Sequence, residues 1–174
     1  MDRENKLPVL TRVLSLACVA LIWIVGIGAV SFAGARPALA NDYNNKILTG
    51  KDFSGRDLTD SSFTKAVIRN SDFNHIQAQG VRFFGAVFKN TNLEGADFTN
   101  ATLDMARFSR SNLTNAIFEG AYAFSAQFNG VIIDGADFTD AFLRDDALLA
   151  LCEVAKGTNP VTKRNTRETL FCDY

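Results

Sequence analysis

The sequence predicts an all-β solenoid of short stacked turns, and three observations carry this prediction. Large apolar residues recur at every fifth position from Leu48 to Leu143, and eighteen of these twenty positions hold Phe, Leu or Ile. A second column lies two positions before each large residue, and half of its members are Ala. Gly, Asn or Asp is common two positions after each large residue. A period of five fits neither a helix nor a flat strand, so the chain must turn a corner every five residues.

Composition excludes several classes of function. The 174 residues include 18 Lys and Arg and 19 Asp and Glu, so the net charge of −1 gives no overall attraction to nucleic acid or anionic lipid. His75 is the only His, and it has no Cys nearby to complete a metal site. No nucleophile is spaced to pair with a base, and no Gly-rich loop follows a strand. We therefore expect no enzyme activity, no catalytic residue, no cofactor and no metal.

Residues 1–40 have the pattern of a secretory signal peptide. The polar start carries three basic residues, Arg3, Lys6 and Arg12. An uncharged run from Leu14 to Ala33 follows, and Ala38-Leu39-Ala40 is a small-x-small cleavage site. Cleavage would give a mature chain from Asn41 to Tyr174. An uncleaved anchor is the alternative, since about 20 apolar residues span a bilayer, and both interpretations export the rest of the chain.

Cys152 and Cys172 remain after the leader. An even pair of cysteines in an exported chain predicts a structural disulfide. In the chain-entropy model such a bridge contributes roughly 3 kcal/mol. Two free buried thiols are the alternative.

Individual repeats resemble those of pentapeptide-repeat proteins, as in Ala96-Asp97-Phe98-Thr99-Asn100 and Ala136-Asp137-Phe138-Thr139-Asp140. The resemblance implies a right-handed quadrilateral β-helix in which four repeats form one coil. Residues 46–145 would then form five coils, about 24 Å tall at ~4.8 Å per coil. Residues 41–45 would be a short lead-in, and residues 146–174 a C-terminal helical cap.

We number the four sides of each coil in chain order, so that residues 46–50, 51–55, 56–60 and 61–65 are sides one to four of coil one. Stacking at intervals of twenty then predicts two aromatic core ladders on opposite sides. They are Phe88, Phe108 and Phe128 on side one and Phe98, Phe118 and Phe138 on side three. Ala78 and Ala123 replace a large central residue, so neighbours such as Phe83 must compensate or a void remains.

Both open ends of a solenoid need protection from pairing with other chains. Three basic residues replace the small inward column of coil one, namely Lys46, Lys51 and Arg56. Their long stems could cover the apolar end. At the other end we expect a helix capped by Asp145 or Asp146 and reaching Lys156, followed by a short helix that begins at Asn165.

The tail around Cys152 and Cys172, which includes Gly157-Thr158-Asn159-Pro160, is similar to that of exported pentapeptide-repeat proteins of the cyanobacterial and chloroplast thylakoid lumen. This resemblance implies a lumenal location, with the periplasm as the alternative. The leader carries Asp2 and Glu4 and lacks a long Ser-rich transit segment, which favours a cyanobacterial precursor.

Charge is predicted to divide between the sides. Sides two and three hold ten acids and two bases, whereas sides one and four hold eight bases and two acids. The acid before the central residue belongs to the repeat itself, so half of the ten could simply bond nearby turns. These five are Asp52, Asp57, Asp72, Asp97 and Asp137.

Two sets of outward residues are candidates for binding a partner. The basic set on side one is Arg69, Lys89, Arg107 and Arg110, and the aromatic set on side four is Phe84, Tyr122, Phe124 and Phe142. The aromatic patch is either covered by the C-terminal helices or bound by a partner, and coverage is the favoured interpretation.

These features predict an exported, non-catalytic scaffold or protein-interaction module, with no nucleic acid and, after leader cleavage, no membrane as its partner. Another branch of the family implies an alternative, a DNA-mimicking inhibitor that binds gyrase through acidic sides two and three. The leader, the five-coil length and the basic sides argue against it. A third possibility is a role in stability or assembly without a durable partner.

Overall fold

The computed structural model describes residues 41–172, which belong to one compact unit. The expected signal peptide, residues 1–40, lies outside the described residues. Within residues 41–172, no helix has both the length and the apolar character needed to span a membrane.

Five short strands form one parallel sheet along side one. They are β1 Ile47–Thr49, β2 Val67–Arg69, β3 Val87–Lys89, β4 Arg107–Ser109 and β5 Gln127–Asn129, in that order across the sheet. Each residue pairs with the residue twenty positions later, as Ile47 does with Val67. Sides two, three and four contribute single parallel bridges at the same interval, including Asp52 with Asp72. This arrangement is the predicted quadrilateral β-helix.

Most corners place one residue in the left-handed region of backbone conformation, two positions after the large inward residue. Gly and Asn hold most of these positions, as at Gly95 with φ 62° and Asn100 with φ 57°. Both residue types tolerate positive φ better than other residues do. The third column of the repeat is therefore explained by the turns themselves.

The large central residues fill the interior as stacked rings, and both predicted ladders are present. On side one, Phe108 lies 4.9 Å from Phe88 and 5.1 Å from Phe128, measured between ring centroids. On side three, Phe118 lies 5.2 Å from Phe98 and 4.8 Å from Phe138. The two ladders meet edge to face, a geometry that aromatic rings prefer. Phe128 is only half-buried, because β5 is the edge strand and no further coil lies above it on side one, whereas Phe138 of the same coil is buried beside the cap.

The ladders occupy the other two sides in the first coils. Tyr43, Phe63 and Phe83 stack on side four, and Phe53 stacks on Phe73 on side two. The ladders change sides at Phe83 and Phe88, the central residues of two consecutive repeats, whose ring centroids are 5.5 Å apart.

Ala78 is buried in the coil where this switch occurs. Ile76 and Val81 occupy the adjacent positions of the inward column, where most coils have Ala or Ser, and both are buried. The compensation expected for Ala78 therefore includes these two larger neighbours.

Residues 41–45 already have the geometry of a repeat. The Tyr43 amide donates to the Ser62 carbonyl at 2.8 Å, and the Asn45 amide donates to the Thr64 carbonyl at 2.9 Å. The lead-in therefore forms one additional side four beneath coil one. Beside it, the Arg56 guanidinium lies 5.1 Å from the centroid of the Phe53 ring. One of the three predicted N-terminal blockers thus covers the apolar end.

The C-terminal cap begins with helix α1, Asp145–Cys152. This helix ends four residues earlier than predicted, because the chain turns back onto coil five. There the Lys156 carbonyl accepts a hydrogen bond from the Gly135 amide at 2.8 Å. Gly157 has φ 84°, and a Cβ on it would lie 2.8 Å from the Gly135 nitrogen, so a side chain does not fit.

The predicted cap of α1 is wrong. Arg144 is the N-cap residue and makes no side-chain capping bond. Asp145 is already helical, and Asp146 binds the Arg144 guanidinium instead. Asp145 is therefore one residue too late to be the N-cap, and the Asp146 carboxylate is bound by Arg144 and accepts from the adjacent Ala147 amide, at 3.0 Å.

Helix α2, Thr166–Thr169, begins as predicted after Asn165, whose side chain accepts from the Arg167 amide at 3.0 Å. The Thr169 hydroxyl accepts from the Phe138 amide at 3.1 Å, which attaches the helix to side three of coil five. Cys152 and Cys172 form the predicted disulfide, with their Cα atoms 5.5 Å apart. The cap is thus bonded to sides two and three of the last coil and closed on itself.

Arg164 connects the cap to two acids of side three. Its guanidinium lies 2.8 Å from Glu119 and 3.1 Å from Asp137, which is fully buried. Burial alone would raise the pKa of Asp137. The hydrogen bonds from the Thr139 hydroxyl and amide, together with the Arg164 charge, outweigh burial and hold that pKa below its ordinary value.

The first prediction concerns the aromatic ladders. Phe108→Ala should lower the free energy of unfolding by about 3–5 kcal/mol, because it leaves a cavity between Phe88 and Phe128. Denaturant unfolding of residues 41–174, followed by circular dichroism, measures the loss. Ile47→Ala is the control, since Ile47 is 72% exposed, and it should cost less than about 1 kcal/mol. Equal losses would contradict the ladder as the main source of stability.

The second prediction concerns Asp137 and pH. The pKa of this group is lower in the folded than in the unfolded chain, so its charge stabilises the fold above about pH 4 and stops doing so as pH falls through the folded pKa. Asp137→Asn should reduce the melting temperature at neutral pH and flatten its decrease between about pH 5 and about pH 2. Calorimetry across this range measures both effects. An unchanged pH slope in the variant would rule out Asp137 as a contributor.

Candidate interaction surfaces

Side one carries five cations and no acid, with Lys46 at the inward-column position of coil one and the other four further along their sides. They are Lys46, Arg69, Lys89, Arg107 and Arg110, and all five are exposed. Within residues 41–172 none of them forms an ion pair. Arg69 and Lys89 are in register on β2 and β3, so their backbones lie only ~4.8 Å apart. Like charges in this position cost stability, and they give the face an unsatisfied attraction for anions.

An aliphatic stripe runs beside these cations on the same sheet. Ile47, Val67 and Val87 are in register on β1, β2 and β3 and point outward. Ile47 is exposed, and the two valines are half-buried. Side one therefore combines charge with a narrow apolar surface.

Three aromatic residues form an exposed cluster on side four of coils four and five. The Phe142 ring stacks on Tyr122 at 5.3 Å and on Phe124 at 5.2 Å, measured between centroids. The exposed fractions of Tyr122, Phe124 and Phe142 are 47%, 40% and 52%. The expectation that the C-terminal helices cover this patch is wrong for these three residues, because the cap is bonded to sides two and three.

Phe84 does not join the cluster. It is half-buried and lies two coils below the position of Phe124 on the same outward column, with Asp104 between them. Asp104 accepts a hydrogen bond from the Ser125 amide at 2.9 Å.

Met105 extends the apolar surface and was not predicted from the sequence. It lies at the corner between sides four and one, has φ 58° and is 53% exposed. The sequence could have indicated this residue, because Met105 is a large apolar residue at a turn position that usually holds Gly or Asn.

Most of the acids on sides two and three are bound by the protein itself. Asp52, Asp57, Asp72, Asp97 and Asp137 each accept the backbone amide two residues later, at 2.9–3.0 Å. Hydroxyl bonds from Ser54 and Thr59 lower the pKa values of Asp52 and Asp57. Glu119 and Asp134 pair with cap residues. Of the ten acids on sides two and three, five are therefore bonded to their own turns and two are paired with residues of the cap.

The described residues contain no group of three or more His, Cys, Asp or Glu that could hold a metal ion. His75 lies at an exposed corner, where its Nδ1 is 3.0 Å from the Asn74 side-chain oxygen. Its ring lies against Gly95, where a Cβ would come within 2.9 Å of it.

Comparison with known proteins identifies the family. Residues 56–138 match the family model described as a pentapeptide repeat region. The crystal structure of a pentapeptide repeat protein from the Arabidopsis thaliana thylakoid lumen is 40% identical, with a TM-score of 0.74 over 76% of this chain and 92% of that chain. The chain therefore belongs to the pentapeptide-repeat family.

Two other solved structures show weaker similarity. HetL, a pentapeptide repeat protein involved in heterocyst differentiation regulation in the cyanobacterium Nostoc, is 20% identical with a TM-score of 0.38, over 58% of this chain and 45% of that chain. Full-length QnrB1, a plasmid-mediated fluoroquinolone resistance protein, is 18% identical with a TM-score of 0.21, over 59% and 71%. Neither similarity bears on the function of this chain. No curated protein matches it.

The third prediction tests whether the repeat aspartates serve the turns. Asp97 accepts from the Thr99 amide at 2.9 Å and from the Thr99 hydroxyl at 2.6 Å. Asp97→Ala should cost about 1–2 kcal/mol, because it leaves these donors without their acceptor. Asp97→Asn should cost less, because an amide oxygen can replace the carboxylate oxygen that binds Thr99, and only the bond from the Gln79 amide to the second oxygen is lost. Asn112 already makes the equivalent bond to the Thr114 amide at 3.0 Å.

Denaturant unfolding of the two variants measures the difference. If Asn and Ala destabilise the protein equally, the negative charge rather than the acceptor oxygen is what the position requires.

Proposed function

We propose that residues 41–174 act as an exported, non-catalytic interaction module that binds a protein partner. The observation that carries this proposal is side one, a rigid sheet whose five exposed cations have no acid beside them and no ion pair within the described residues. A solenoid holds such groups at fixed spacing. Complementary charge on a partner increases the rate and specificity of association.

The class of fold supports a binding role over a catalytic one. Pentapeptide-repeat proteins are generally structural or interaction modules, and the comparisons indicate no enzyme family. The aromatic cluster of side four adds exposed Tyr and Phe side chains, which are enriched at protein interfaces.

An exported location, most specifically the thylakoid lumen, is supported by two observations. One is the 40% identity to a protein of the Arabidopsis thylakoid lumen. The other is the disulfide between Cys152 and Cys172, since structural disulfides persist in oxidising compartments. The secretory pattern of residues 1–40 agrees with both.

The DNA-mimicking alternative gains no support. It requires acids free to contact gyrase, whereas seven of the ten acids on sides two and three are bonded to turns or to the cap. The turns account for five of these ten acids and the cap for two more, without a partner.

The fourth prediction tests the proposed function by affinity capture from lumenal and membrane extracts of the host organism. Tagged residues 41–174 should retain a partner, and the variant Arg69→Glu, Lys89→Glu, Arg107→Glu, Arg110→Glu should lose it, because the charge of side one is reversed. The control Lys51→Glu, Lys163→Glu reverses two exposed cations elsewhere and should retain the partner. Mass spectrometry identifies what is bound.

A partner that survives reversal of side one would move the binding surface to another side. Capture of nothing by any form would contradict an interaction module and favour a structural role without a durable partner.

A further inference from the structure

We infer that the partner docks across the corner between sides four and one, and that it presents an acidic segment with an apolar anchor. The acidic segment lies against the cations of side one, and the anchor packs on Tyr122, Phe124 and Phe142. This inference rests on the proposed interaction function and specifies the chemistry of its partner.

Side one is too small to be a protein interface by itself. Five strands at ~4.8 Å give roughly 24 Å of height, and three extended residues at ~3.3 Å give roughly 10 Å of width. The resulting area of roughly 240 Å² is well below the ~800 Å² that a stable interface buries on each partner. A partner attracted to side one must therefore continue onto a neighbouring side.

Side four is the neighbour that fits. Side two carries four acids and one base, so its net negative charge would repel an acidic partner. Side four carries three bases, Lys65, Arg82 and Arg144, and two acids, Asp104 and Asp145. Side four also presents the exposed aromatic cluster, and Tyr and Phe are enriched at the cores of protein interfaces. The cations thus give attraction and orientation, and the aromatic rings give an apolar anchor point.

The two surfaces are continuous over the corner. Met105 is 53% exposed there and precedes Arg107 by two residues. Tyr122 and Phe124 are in coil four, as are Arg107 and Arg110, and Lys89 is one coil below. An extended segment of about eight residues spans roughly 26 Å, which is long enough to contact the rings and the nearest cations together.

The geometry favours a protein segment over an anionic bilayer. Adjacent sides of a quadrilateral β-helix face different directions, so a flat membrane can meet the cations or the aromatic rings but not both. An extended chain can bend around the corner and contact both. A membrane would be the favoured partner only if the aromatic rings and the cations lay on the same flat side.

The fifth prediction uses defined probes with purified residues 41–174. These residues lie within one compact unit of the chain. One labelled peptide of about twelve residues is Glu-rich with a central Leu-Trp pair, a second lacks this pair, and a third replaces Glu by Lys. Vesicles containing phosphatidylglycerol are the membrane probe. Fluorescence anisotropy and vesicle co-sedimentation measure binding.

We expect the first peptide to bind at least about tenfold more tightly than the other two, with an affinity that falls as salt rises. The pair Lys89→Glu, Arg107→Glu should weaken binding by about tenfold or more. The triple variant Tyr122→Ser, Phe124→Ser, Phe142→Ser should do the same. The control for the charge variant is Lys51→Glu, Lys163→Glu, and the control for the aromatic variant is Ile132→Ser, Val161→Ser. Both controls change exposed residues away from the corner and should bind normally.

Amide chemical shifts of the labelled protein give an independent readout. The first peptide should perturb amides of β4 and of residues 122–124 together. Perturbation of one side alone would overturn the inference, as would equal binding of the peptide without the apolar pair. Binding to vesicles but not to the first peptide would assign the surface to a membrane, and no binding to any probe would equally overturn the inference.

The two proposals fail separately. If extracts yield a partner whose capture is insensitive to the corner variants, the interaction function stands and the corner inference is wrong. If the peptide behaves as expected but no partner is captured from any extract, the corner chemistry stands and the proposed function loses its support.

Discussion

The corner at every fifth residue is the constraint on which the rest of this structure depends. A residue with positive φ redirects the chain at most corners, so four short sides return it to its starting point after twenty residues. The large residue then always points inward, and most backbone amides donate to the coil above or below. The amides of the inward column, such as Ala66 and Ala96, instead close the turns by donating to the carbonyl three residues earlier. Stacked rings, parallel bridges and the separation of the four outer faces all follow from that one geometric requirement. No long strand or helix is needed to form the core.

The sequence predicts most of this fold because the period is visible in the residue types themselves. Phe98, Phe118 and Phe138 are twenty apart, and nothing but the period is required to stack them. The end of α1 could not be predicted in the same way, because it depends on a bond between the Lys156 carbonyl and the Gly135 amide, two groups far apart in sequence. Tyr43 was missed because its repeat lacks the usual small residue two positions earlier. The aromatic cluster was identified by residue, but its exposure depended on which sides the cap would cover.

Position within the repeat decides what a charged side chain does. An aspartate before the central residue becomes an acceptor for its own turn, so its presence needs no further explanation. Arg69, Lys89 and Arg107 occupy outward strand positions of side one, and Arg110 lies at a corner with φ 51°. None of these four side chains forms an ion pair within the described residues. No contact within the described residues accounts for these charges, which is the physical basis for proposing side one, rather than the acidic sides, as the binding face.

The twenty-residue register also limits how such a surface can evolve. Insertion of one whole repeat preserves the inward pattern, so the core tolerates it, but every later residue then moves to the next side. An insertion of five residues before Arg69 would carry its cation, and those of Lys89, Arg107 and Arg110, onto side two. The large residues would still point inward, but Phe73 would no longer stack on Phe53, nor Phe83 on Phe63. Only insertions of four repeats keep a face intact. A chain of this design can therefore move a whole set of surface residues to the next side by inserting one repeat, at the cost of the ring stacks that span the insertion.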